Sequence, residues 1–349
     1  MVELTRFQQH YCFRFAHYSV LIHPKQILVA LFLFILLAAA CLIAIVNGSA
    51  KMSAFTAIEV LTGGGDAMSK MLVEQIRLPR ITAALIAGFA LGLSGCLIQT
   101  TIKNRLATPE IIGVNDGATA AVVLVSALSM SGTWAWWIGP IGAVCAFIFL
   151  ALLAGQPGRE GYRLIVIGMA LAELLRSGSD LTLSMQEMHL VNGLYVWKNG
   201  SLSGQGYEVS LPVLAGIGIC VPLLITLSRR LKAMQLSDDT VKTLGVSLGF
   251  TQVLILFLAV ITAGLACGIT GPIAFVAMAA PIFASYLTIP NSVPVWLSGL
   301  VGALLVLLAD TIARSVSISQ QEIGVGIITS LIGGPFMLWV LLRDSAEDK

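Results

Sequence analysis

Few residues of this chain could do chemistry, and the ones that could are charged groups inside apolar stretches. Glu173 and Arg176 stand three apart, and Asp310 and Arg314 four apart. At those spacings each pair can meet on one face of a helix. An ionisable group within an apolar span faces a partner or a water-filled cavity, because leaving it in lipid is costly. The two pairs therefore read as self-neutralising contacts or, for the carboxylates, as carriers of a coupling proton. Six cysteines (Cys12, Cys41, Cys96, Cys145, Cys220 and Cys267) are scattered singly with no C-x-x-C spacing, and three of the four histidines crowd the first 23 residues. Neither set has the spacing of a metal site. No G-x-x-x-x-G-K-[ST] stretch exists to cradle phosphates, and no nucleophile, base and orienting group can be named together. The chain is thus not expected to be an enzyme, and no catalytic residue, resident metal, cofactor or nucleic-acid partner is predicted.

The elements that must hold the charged groups are apolar helices. Of the 349 residues 57% are hydrophobic and 11% charged, which excludes a soluble protein. A spanning helix needs roughly 20 apolar residues to cross a hydrocarbon core of about 30 Å. Windows of that kind fall near 27–46, 81–100, 113–132, 135–154, 162–183, 209–228, 250–268, 271–288, 294–313 and 323–342. None alternates apolar and polar residues as a barrel strand would, so the predicted fold is all-α: one transmembrane domain over 1–349, a polytopic bundle of about ten helices. Gly268, Gly271 and Pro272 mark a break between the seventh and eighth spans. Gly88, Gly92 and Gly95 in the second span and Gly299 and Gly302 in the ninth would let helices approach closely.

With the N-terminus inside, thirteen of the twenty Lys and Arg fall on the inner side, which places both termini in the cytoplasm of a bacterial inner-membrane protein. Residues 1–26 form a cytoplasmic N-terminal segment, and the first apolar run is retained rather than cleaved. Segments 47–80 and 184–208 lie outside. Segment 229–249 is the one substantial inner surface between spans. Within it Ser237 suits an N-cap, Asp238 and Asp239 the first turn, Lys242 the last turn and Gly245, after Leu244, the stop. A short helix there is either an interfacial connector or the docking element for a partner.

Arg77-Leu78-Pro79-Arg80, then Gly88, Gly92, Gly95, Gln99, Asn104, Leu106-Ala107, Pro109, Gly113 and Gly117-Ala118, run in the order of a known pattern. Trp197 with Gly200-Ser201-Leu202, Leu244-Gly245-Val246, Gly271-Pro272-Ile273 with Phe275-Val276, Asp310 with Arg314, Glu322 with Gly324-Val325, and Ile332-Gly333 with Pro335-Phe336 continue it. The chain resembles the iron-siderophore and cobalamin permease family of ABC importers from the second span to the last, with its nearest likeness to permeases for ferric siderophores of the enterobactin type. Two departures stand out: Arg105 where the family has proline, and Ile282 where it has histidine.

The resemblance implies an importer moving a ferric siderophore from periplasm to cytoplasm, or cobalamin or haem by the same route. Its partners would be a second permease subunit, identical or different, separate ATP-binding subunits beneath and a periplasmic substrate-binding protein above. It assigns ATPase coupling to Ser237, Asp238, Asp239, Lys242, Leu244 and Gly245. It assigns binding-protein docking to Arg77, Arg80 and Arg314, which should then reach the outer surface; their alternative use is to anchor helix ends. The rival class is an ion-coupled secondary carrier, resting on Glu173 and Asp310.

Overall fold

The computed structural model describes residues 3–7, 10–15, 18–48, 52–129, 134–155, 161–186, 188–289, 292–316 and 323–347. The chain begins with a three-stranded antiparallel meander, β1 (Glu3–Phe7), β2 (His10–Phe15) and β3 (Tyr18–Ile22), in register from Glu3 opposite Arg14 and from Tyr11 opposite Ile22. Among the described residues every element after it is helical: α1 (Pro24–Val46), α2 (Ala54–Leu61), α3 (Ala67–Met71), a π-helical turn (Leu72–Arg77), α4 (Leu78–Ile102), α5 (Val114–Ser129), α6 (Ile138–Ala154) and α7 (Gly161–Ser184), then α8 (Met188–Lys198), α9 (Tyr207–Ala233), α10 (Asp238–Thr243), α11 (Leu248–Thr270), α12 (Val276–Leu287), α13 (Val295–Ser315) and α14 (Val325–Glu347).

Ten of these helices, α1, α4 to α7, α9 and α11 to α14, fall on the ten expected windows. Among the described residues six stretches are long and apolar enough to cross a membrane, and α5, α6 and α12 are shorter apolar helices. At 1.5 Å per residue α12 reaches only about 18 Å, short of the hydrocarbon thickness, so it starts inside the bundle. The cause is local. Gly271 has φ +68°, and a Cβ there would lie 2.1 Å from the Trp197 carbonyl oxygen, so only glycine fits the turn that ends α11. Pro272 follows, and Phe275, itself left-handed at φ +67°, leads into α12.

Helices α4, α11 and α13 form the centre, while α1, α9 and α14 present most of their surface outward. The glycines of the second and ninth spans do pack against each other: a Cβ at Gly92 would sit 2.0 Å from the Ser298 carbonyl oxygen, so α4 and α13 touch backbone to backbone. Polar ties cross the same core. Ser94 Oγ donates to the Ala259 carbonyl of α11 at 2.7 Å, and Gln99 Nε2 to the Met278 carbonyl of α12 at 3.1 Å.

Candidate functional site

Three groups of charged side chains are assembled by this bundle. The first lies where the π-helical turn runs into α4. Asp310 of α13 is fully buried and bridges two guanidiniums: Arg80 Nη2 at 2.9 Å and, one turn along its own helix, Arg314 Nε at 3.0 Å. Arg77 Nη1 donates to the Ile45 carbonyl, and Arg314 Nη1 lies 3.3 Å from the Ala44 carbonyl and 3.4 Å from that of Asn47. The last carbonyls of a helix have no partner within it, and here arginines from the π-helical turn and α13 supply donors to the end of α1. Arg77 and Arg80 are 4% and 8% exposed, and the Arg314 side chain 6%. The expectation that these three arginines reach the outer surface is therefore corrected. They are turned inward because an aspartate and a helix end need them.

The second group stands on the C-terminal half of α7. Arg176 Nη1 meets Glu173 at 3.7 Å, as the i,i+3 spacing predicted. Its closer partner is Asp116 in the first turn of α5, held by two hydrogen bonds of 3.1 and 3.4 Å. Sequence reasoning passed over Asp116, since its partner is 60 residues away and no local spacing announces it. Lys198, the last residue of α8, is ion-paired with Asp180 of α7. Glu110, Asp116, Arg176, Lys198, Asn199 and Ser330 line one cavity of about 370 Å³ there. Glu110 lies in the connection before α5, where burial pushes its carboxyl up to about 7 against the opposing Phe275 backbone hydrogen bond.

The third group is at the opposite end of α4. Ser237 occupies the N-cap position of α10, though its Oγ bonds the Thr240 hydroxyl at 2.7 Å rather than a backbone N–H. Asp239 pairs with Lys242 at 3.5 Å, Leu244 is exposed, and Gly245 takes φ +74° as the stop. Asp238, whose side chain is 53% exposed, already holds an ion-pair partner within the chain. Lys103 Nζ holds it at 2.7 Å and donates to the Leu236 carbonyl at the same distance. Lys103 is also the left-handed C-cap of α4, so the helix end and the α10 segment are tied by one residue. A cavity of about 740 Å³ opens beside it, and both departures from the family pattern, Arg105 and Ile282, line it. Among the described residues no cluster of three or more metal-ligating side chains is found. Glu322 lies outside the described residues.

A bundle of apolar helices that keeps charged side chains on the exposed face of one of them defines a multi-pass membrane permease. The sequence profile of the FecCD transport family matches residues 35–343. The chain is 30% identical over 300 residues to the achromobactin transport system permease protein CbrC of Dickeya dadantii (strain 3937), covering 85% of this chain and 86% of that protein. It is 29% identical over 321 residues to the ferric enterobactin transport system permease protein FepG of Escherichia coli (strain K12), covering 90% and 96%. Among solved structures, a metal-chelate type ABC transporter in an inward-facing conformation superposes with a TM-score of 0.77 at 25% identity, over 91% of this chain and 99% of that one. The chain belongs to the FecCD transport family and is an ABC transporter permease.

Proposed function

We propose that this permease carries a ferric siderophore across the bacterial inner membrane, paired with a second permease subunit and driven by separate ATP-binding subunits. A periplasmic binding protein delivers the cargo. The observation that carries the reading is the charged stripe on α7. The Glu173, Arg176 and Asp180 side chains are 69%, 53% and 57% exposed, in the outer half of a membrane helix. They stand three and four residues apart and so share one face. Groups so charged do not face hydrocarbon; that face turns to water or to a partner, which suits the wall of a passage between two permease subunits. The α10 segment takes the stroke of the ATPases through Ser237 to Gly245, and Lys103 passes it to α4. Arg77, Arg80 and Arg314 serve as the anchor of α1. Acidic residues of a binding protein would meet them only where the Ala44 to Asn47 end lifts away.

The test is cysteine accessibility in the assembled importer, on a background lacking the native cysteines. Glu173→Cys and Asp180→Cys are expected to react with a membrane-impermeant thiol reagent, and ferric siderophore with ATP should change the rate. Ile35→Cys, on the exposed apolar face of α1, is the lipid-facing control. Equal reactivity of all three positions would refute the assignment of α7 to the passage.

A further inference from the structure

The charges on the α7 wall carry information about the cargo. Two cations face the cavity, and each already holds a carboxylate: Arg176 touches Asp116 and Glu173, and Lys198 touches Asp180. Three carboxylates thus face two cations with one left over: Asp116 lines the cavity together with Glu110, while Glu173 and Asp180 reach its two cations from the exposed face of α7 beside it. The rest of the polar lining is uncharged: Asn115, Thr119, Asn199 and Ser330 offer amide and hydroxyl groups.

A wall of this kind has no cation available to replace the water around an anion, and its surplus of carboxylates repels one. A neutral complex meets hydrogen-bonding amides and hydroxyls, and a cationic complex meets the surplus acid. We propose that this wall selects ferric chelates of neutral or single positive charge, such as trihydroxamates with or without a pendant ammonium, over the trianionic ferric tricatecholates. The inference rests on the siderophore-importer reading and specifies the cargo class for the same passage. Glu173 and Asp180 set the selection through the charge they bring to the wall.

The experiment uses the whole importer in proteoliposomes with its binding protein, ATP supplied to the ATPase side, and three iron-55 complexes: a neutral trihydroxamate, a cationic trihydroxamate and a trianionic tricatecholate. The neutral and cationic complexes are expected to enter at least about tenfold faster than the trianion at low salt, with the gap shrinking as screening rises. In Glu173→Gln/Asp180→Asn importer, with binding-protein affinities for each complex measured separately and unchanged, the gap should narrow severalfold. Trianion uptake as fast as the others overturns the proposal. So does a gap that the double variant leaves untouched, which would assign the selection to the binding protein and leave the importer reading standing. Failure of all three complexes to enter in an ATP-dependent way would instead overturn the importer reading itself.

Discussion

Asp310→Asn isolates what the buried bridge contributes. The wild-type carboxylate is fully buried between Arg80 at 2.9 Å and Arg314 at 3.0 Å. Each attraction is worth about 4 kcal/mol gross at charge-centre separations near 4 Å and an effective dielectric constant near 20. Desolvating three charged groups offsets much of that. What decides the outcome is the lost charge: asparagine keeps the shape but removes the carboxylate that both buried guanidiniums hold. Removing one partner of a buried pair costs about 3–5 kcal/mol, so Asp310→Asn is expected to cost that much in denaturant unfolding of the permease in mixed micelles. The Ala44 to Asn47 end of α1 should fray as well, since Arg314 also serves it, and proteolysis between 47 and 53 should quicken. Replacing all three charges together, as Arg80→Met/Asp310→Leu/Arg314→Met, should recover much of the loss, because an apolar core of similar volume often matches a buried ion network. A loss below about 1 kcal/mol for Asp310→Asn, the range of an exposed pair, would refute the reasoning.

The α4–α13 contact and the Lys103 tie give two further predictions. Gly92→Leu puts side-chain atoms where a Cβ alone would lie 2.0 Å from the Ser298 carbonyl, so helix separation should abolish recovery of folded permease from detergent; normal yield would show that α4 and α13 can part without loss. Lys103→Met removes a pair whose side chains are 37% and 53% exposed. Stability should therefore change by less than about 1 kcal/mol, while ATP hydrolysis by the partner subunits becomes uncoupled from transport. Unaltered coupling would reduce the α10 segment to a connector.

Much of the architecture was legible because lipid makes strong demands on sequence. Each spanning helix must be apolar over most of its length, so runs such as Ile27 to Val46 announce themselves. The Gly268 to Pro272 break is visible for the same reason, as is the Asp310 and Arg314 pair, set by helix periodicity. Contacts between distant segments were not legible. Nothing near Asp116 points to Arg176, and nothing in Arg77-Leu78-Pro79-Arg80 says whether the guanidiniums turn to water or to the end of α1. That choice depends on where α1 ends against α4 and α13, a property of packing rather than of local pattern. The π-helical turn at Leu72–Arg77 and the left-handed Lys103 likewise carry no local signature, since neither uses glycine. The three strands lie in a stretch that the sequence marks only as aromatic and basic.

One helix joins the two ends of the molecule. From Leu78 to Ile102, α4 is about 37 Å long at 1.5 Å per residue, with Arg77 and Arg80 at one tip and Lys103 at the other. Its one proline, Pro79, stands in the first turn, and α11, α12 and α13 pack along it with close backbone contacts and hydrogen bonds. So held along its length, α4 offers a direct mechanical link between its two tips, with the π-helical turn at its head. A tilt imposed at the Lys103 tip would then be felt at the Arg77 tip. Signalling between the two faces of the membrane would then be a matter of rigid geometry, needing no relay of side chains changing partners in the interior.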